Sequence, residues 1–206
     1  MEDLVSILAS SIGSLTNPNK LANTFKSNHI ETSDITLSLY IDYLIDAFII
    51  SKAKRYNIKG KKYIDSPFKY YFTDIGIRNA KLNFSQIEPT HIMENIIYNE
   101  LLVRGYNVDV GIVDHVTRNK DGKQQKISYE VDFICNKYNE KYYIQSAFSI
   151  PDELKMQQET SSLDKIEDSY KKIVITTDRY KPWYNEKGYL IMNIFDFLLD
   201  EDSLKL

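Results

Sequence analysis

The chain has 206 residues, 43% hydrophobic and 27% charged, which excludes a disordered polypeptide and allows one good core or two small ones. No apolar run approaches the ~18 residues needed to span a bilayer, and the acidic start Met1-Glu2-Asp3 is unlike a signal peptide. Its net charge of −3 divides unevenly: residues 1–85 carry 11 Lys/Arg and 8 Asp/Glu, and residues 86–206 carry 15 and 21. This asymmetry points to two modules, of which only the first could favour nucleic acid on charge alone. A soluble, cytoplasmic protein with no membrane partner is expected. The single Cys135 excludes a disulfide framework or a cysteine metal site and reads as a buried structural thiol.

In chain order, apolar residues at 4, 5, 7, 8 and 12 predict a short amphipathic helix that Gly13–Asn17 breaks. Asn17-Pro18 then has the form of an N-cap followed by a first-turn proline, for a helix through Lys26. Thr32-Ser33-Asp34 caps a third helix, whose apolar face is read through Ile35, Leu37, Leu39, Tyr40, Tyr43, Leu44 and Ala47. Two aromatic and β-branched runs, Phe48–Tyr56 and Lys62–Tyr71, flank Asn57–Lys61 as a β-hairpin. Three helices followed by a hairpin predict a winged helix over residues 1–85.

Thr73–Arg78 reads as a short helical turn and Asn83–Pro89 as a module boundary. A strongly periodic helix is predicted over Thr90–Arg104 and stopped by Gly105. Strands follow at Asn107–Asp114, Lys126–Asn136 and Lys141–Phe148, with turns at Arg118–Lys123 and Tyr138–Glu140. Pro151 opens a helix expected to reach about Tyr170. Strands at Lys172–Thr177 and Tyr189–Met192 precede a last helix, Ile194–Leu199. Residues 86–206 thus predict a mixed α/β sandwich, and the fold class is α+β.

The chemistry-bearing pattern is Glu130-Val131-Asp132 on one strand and Gln145-Ser146-Ala147 on the next, with Glu94 near the start of the preceding helix. Strand alternation predicts that Glu130 and Asp132 share one face, as do Gln145 and Ala147. Phosphodiester hydrolysis with Mg²⁺ needs hard oxygen ligands and a group that orients water.

This order resembles the PD-(D/E)XK nuclease superfamily, in which a helix glutamate, a strand aspartate and a (D/E)-X-K strand converge. The resemblance implies a degenerate site of Glu94, Glu130, Asp132 and Gln145, with Ala147 in the lysine position. A metal, if held, would use Glu94, Asp132 and Gln145. Gln145 removes a charge from such a site, and Ala147 removes the cation that would offset charge at the phosphate. Losing a group of that kind costs a factor of about 10²–10⁴ in rate. Some superfamily members carry the lysine on the following helix, where Lys155 is the candidate.

A wider resemblance rests on Lys20–Asn23, Tyr40–Leu44, Ala47–Ile50 and Tyr70–Gly76 leading into Glu94, Glu130–Phe133 and Tyr143–Gln145. Together they look like the C-terminal part of a family of prokaryotic AAA+-superfamily ATPases, catalogued as a domain of unknown function. In that family a P-loop ATPase domain comes first. No G-x-x-x-x-G-K-[ST] occurs in this chain. ATP would therefore bind an N-terminal domain outside this sequence, and the chain is read as a C-terminal fragment with no cofactor of its own, or Mg²⁺ if the nuclease-like site works.

Lys52, Lys54, Arg55, Lys59, Lys61 and Lys62 form a run with no acid between Ser51 and Ile64. In a winged helix such residues line a hairpin that can lie against a DNA backbone. Alternatively they are a solvated face or dock the ATPase domain. The proposed recognition helix carries Glu31, Asp34, Asp42 and Asp46 and no Lys or Arg, which is poor chemistry for a major-groove reader. His29, His91 and His115 show no ligand spacing, and Trp183 reads as a core cap in a loop. The expected function is a nucleic-acid- or partner-binding module. The alternatives are an active Mg²⁺- or Mn²⁺-dependent nuclease using Lys155, or a purely protein-interaction module.

Overall fold

The computed structural model describes residues 1–118 and 122–206. Among them are seven α-helices and eight strands, a mixed α/β architecture, and no helix long and apolar enough to cross a membrane. The chain forms two compact units: Met1–Lys54 with Asp65–Asn99, and Arg55–Ile64 with Glu100–Leu206. This differs from a single boundary at residue 85. The hairpin tip goes with the second unit, because it pairs there, while residues 86–99 stay with the first.

The first unit begins with helices α1 (Glu2–Ser10), α2 (Pro18–Ser27) and α3 (Asp34–Asp46). The Asn17 side chain accepts the Lys20 N–H at 2.7 Å and the Ser33 hydroxyl accepts the Thr36 N–H at 3.1 Å, so both caps form as the sequence predicts. Strands β1 (Ile50–Asn57) and β2 (Lys62–Phe72) follow, then α4 (Ile75–Lys81) and the start of α5 (Pro89–Val103). Leu4, Leu8, Leu21, Phe25, Leu37, Ile41, Leu44, Ile50, Tyr70 and Phe72 make one apolar cluster. The expected face of α3 is only half right. Leu37, Ile41 and Leu44 are buried, while Ile35, Leu39 and Tyr43 are 79%, 48% and 52% exposed. Apolar residues are spread around this helix between its polar ones, so periodicity could not choose its face; packing with α1, α2 and the hairpin chose it.

In the second unit the strands are β3 (Asn107–Arg118), β4 (Gln124–Lys137), β5 (Glu140–Ala147), β6 (Lys171–Thr176), β7 (Trp183–Tyr184) and β8 (Leu190–Asn193). The sheet order is β2-β1-β3-β4-β5-β6-β8-β7. β3, β4 and β5 are antiparallel neighbours; β1–β3, β5–β6 and β6–β8 are parallel. The turn read at Arg118–Lys123 falls on residues 119–121, outside the described residues. Helix α6 (Glu153–Thr160) ends about ten residues earlier than expected, and Leu163–Lys165 form a separate 3₁₀ turn. That break lets Leu163 and Ile166 join Val131, Ile134, Tyr143, Ala147, Val174 and Ile191 in the second apolar cluster. Helix α7 (Ile194–Leu199) closes the unit as predicted.

Candidate functional site

Antiparallel pairing of β4 and β5 runs from Lys137↔Glu140 to Phe133↔Ile144 and stops there. Just beyond it the Asp132 carboxylate accepts the Ser146 N–H at 2.8 Å, taking a backbone carbonyl's place. The Gln145 side-chain oxygen lies 3.5 Å from the Asp132 N–H and 3.4 Å from the Ser162 hydroxyl, both weak contacts. The structure therefore brings Asp132 and Gln145 together, and it uses each of them to satisfy neighbouring polar groups.

The register of β3 against β4 shifts here. Asp109 pairs with Ile134 and Gly111 with Val131, so Asp132 and Phe133 together face Val110. This is a β-bulge, a feature that re-aims side chains and increases twist. The break in alternation falls between Asp132 and Phe133, beyond Glu130 and Val131. Glu130 is half-buried and paired with Ile112. Gly111 is needed beside the bulge, since a Cβ on it would stand 2.9 Å from Val131 Cβ and 3.0 Å from Ile134 Cγ1. Ala147 is 2% exposed and belongs to the apolar cluster. Next to it, the Ser146 hydroxyl is buried with no hydrogen-bond partner among the described residues.

Glu94 lies in the first unit, on α5. It is 7% exposed and accepts from the Lys69 ammonium at 2.8 Å and the Tyr71 hydroxyl at 2.6 Å. Lys69 and Tyr71, two apart on β2, share the strand face that meets it. Neither was singled out from sequence. The available signal was a lone lysine inside the apolar run Pro67–Phe72. Gly13, with φ +71°, comes close to the same group: a Cβ there would be 3.4 Å from both carboxylate oxygens of Glu94.

Lys155 on α6 pairs with Glu159 one helical turn on. The basic hairpin residues have varied settings. In the first unit the Lys52 ammonium stands 5.2 Å from the Phe68 ring centre. In the second, Arg55 pairs with Val110 and its Nε is buried without a partner among the described residues. Ile58 enters the apolar cluster and Lys59 bonds Glu167 at 2.8 Å. Lys61 and Lys62 are exposed. Lys54 is also exposed, on β1.

His91 Nε2 stands 3.7 Å from a Glu88 carboxylate oxygen; His29 is exposed, and His115 is half-buried on β3. Cys135 is fully buried, and burial pushes its thiol well above the ordinary value, as befits an inert structural residue. Trp183 does not cap a core in a loop; it lies on β7, pairs with Ile191 and is 43% exposed.

Among the described residues no three His, Cys, Asp or Glu side chains are grouped so as to hold a metal. Of the metal set named from sequence, the second unit holds one carboxylate, Asp132, and one neutral amide, Gln145. Mg²⁺ favours carboxylates and water in near-octahedral geometry, and this pair is a poor match.

Residues 1–88 match a family model described as a domain of unknown function, DUF8612. The chain is 38% identical over 199 residues to an uncharacterized protein of Haemophilus influenzae, an alignment covering 97% of this chain and 46% of that protein. The chain thus spans about half the length of this relative. The crystal structure of protein VC1899 from Vibrio cholerae aligns with 99% of this chain and 54% of its own at 13% identity, with a TM-score of 0.34.

Proposed function

We propose that this chain is the C-terminal, non-ATPase part of an AAA+-type ATPase, a binding module on a nuclease-like scaffold that no longer cleaves. The observation that carries the loss of cleavage is the setting of position 147. Where the nuclease pattern needs a lysine, Ala147 is packed in an apolar cluster at 2% exposure. Asp132 and Gln145 add to this reading, since their oxygens accept from the protein's own N–H and hydroxyl groups. Lys155, the displaced candidate, has its charge met by Glu159. A relative about twice as long leaves room for a separate ATPase domain.

Nucleic acid, the first partner, would meet exposed Lys61 and Lys62 at the hairpin tip, through phosphate contacts without base readout. A protein partner is the second reading, favoured by the exposed Ile35, Leu39 and Tyr43 on an α3 that carries acids and no Lys or Arg.

The test has two arms. With Mg²⁺ or Mn²⁺, neither single- nor double-stranded DNA should be cut. Metal-dependent cutting that disappears in Asp132→Ala would instead establish a working nuclease. At low salt, DNA should bind and lose affinity in Lys61→Ala/Lys62→Ala. Absence of any DNA affinity transfers the function to a protein partner.

A further inference from the structure

A cavity of about 460 Å³ opens in the second unit between α6 and the segment that carries β7, away from Asp132 and Gln145 in the sequence and lined by neither. Its volume falls in the range of small-ligand sites, about 300–1,000 Å³. Two aromatic rings, Tyr180 and Trp183, line it, with Met156 and Ile150 as further apolar wall. Both rings are substantially exposed, at 64% and 43%. Three carboxylates join them: Asp152, Glu153 and Glu186. Glu186 has no ion-pair partner among the described residues. Among the described residues the one cation in the lining, Lys187, is already held by Asp164 at 2.7 Å.

The walls are tied together rather than loosely apposed. Asp178, two residues before Tyr180, accepts from the Ile150 N–H at 2.6 Å and the Ser149 hydroxyl at 2.9 Å. These bonds pin the approach to α6 against the start of the aromatic segment. On the far side the Asn185 side chain accepts the N–H groups of Lys187 and Tyr189, at 3.0 and 2.9 Å, and so fixes the turn that presents Glu186.

Aromatic faces are electron-rich and attract cations, most of all weakly hydrated ones such as guanidinium and alkylated ammonium groups. Carboxylates at the rim add charge and select against anions. We propose that this cavity is a binding site for an organic cation, an alkylammonium or guanidinium group with an apolar stem that lies along Met156. The cation could arrive as a free amine or as the side chain of a lysine or arginine in a peptide. This site is independent of the nuclease-like reading and stands whether or not that reading does.

Trp183 is the only tryptophan of the chain, so its fluorescence reports on the site directly. The probes are tetramethylammonium, spermidine and N-acetyl-arginine amide, against the neutral controls 3,3-dimethyl-1-butanol and N-acetyl-citrulline amide. A saturable fluorescence change is expected with at least one cation and with neither control. Preference for the capped arginine identifies a peptide side chain as the source; preference for spermidine or tetramethylammonium identifies a free amine. Glu153→Gln/Glu186→Gln, both exposed positions that leave the fold intact by circular dichroism, should weaken binding roughly tenfold. Calorimetry with Tyr180→Leu, which leaves the fluorophore in place, should show a similar loss. The proposal is overturned if no cation gives a saturable change, if the neutral isosteres do as well, or if the charge-neutralised variant binds unchanged.

Discussion

Lys69 and Glu94 form an ion pair whose side chains are only 5% and 9% exposed. Taking both charges out of water is costly, and their attraction together with the Tyr71 hydroxyl offsets it only while both partners are present. Lys69→Met should therefore destabilise by about 3–5 kcal/mol in urea unfolding, and adding Glu94→Gln should recover part of the loss. Equal stability of the single and double variants would show that Glu94 is not held by this pair. Phe48 is the opposite case. It occupies the left-handed position after α3, φ +55°, in a turn closed by Ile49 N–H to Leu44 O at 3.0 Å. Glycine is the usual residue there, as it is at Gly105 after α5, and Phe48 is 81% exposed. Left-handed backbone costs an L-residue about 1–2 kcal/mol, against about 0.5–1 for the extra unfolded freedom of glycine. Phe48→Gly should accordingly raise stability, by about 0.5–1 kcal/mol. A thermal melt that shows a loss instead would mean that the exposed ring makes a contact worth more than the strain.

At the scale of elements, the bulge in β4 decides the geometry around Asp132. It depends on Gly111, whose missing Cβ gives Val131 and Ile134 their places. Gly111→Ala forces those side chains aside and should cost about 1–3 kcal/mol, readable as a lower urea midpoint. The helices show how local rules and packing share the work. Caps at Asn17 and Ser33 formed where the sequence marked them, because a cap is settled by a few neighbouring residues. The end of α6 did not, because Leu163 and Ile166 gain more by entering an apolar cluster than by extending a helix.

At the scale of the molecule, hydrogen-bonded carboxyls and buried phenols bound the pH range of stability. Burial alone would raise the Asp178 carboxyl, but bonds from the Ile150 N–H and the Ser149 and Thr176 hydroxyls outweigh it and hold it below the usual range. A depressed carboxyl contributes stability that is present above its unfolded value and lost as pH falls through its folded one. Stability should thus decline below about pH 4, less steeply in Asp178→Asn. Burial and the nearby Asp42 push Tyr70 up to about 12. Tyr143 and Tyr189 are raised by burial and by donating to Asp168 and Asp164. Raised phenols contribute fully below their unfolded value and lose that contribution above it, so stability should fall again above about pH 10. Urea unfolding at stepped pH checks both limbs; a flat alkaline limb would mean that these phenols ionise without cost to the fold. The interleaving of the units has a consequence for fragments. A chain starting at residue 86 lacks Ile58 and the parallel partner of β3, and it should aggregate more readily than the 206-residue chain.

The sequence by itself determined the element order apart from β7 and the break after α6, most helix starts, the three-stranded run β3–β5 and the absence of a lysine at position 147. All of these rest on periodicity, capping and residue identity, which act over a few neighbouring positions. Tertiary structure alone decided which side of α3 is buried, that β4 bulges at Asp132, that Lys69 meets Glu94, and that the hairpin tip pairs with β3. Each depends on which distant segment arrives alongside, and no local pattern encodes the identity of that neighbour.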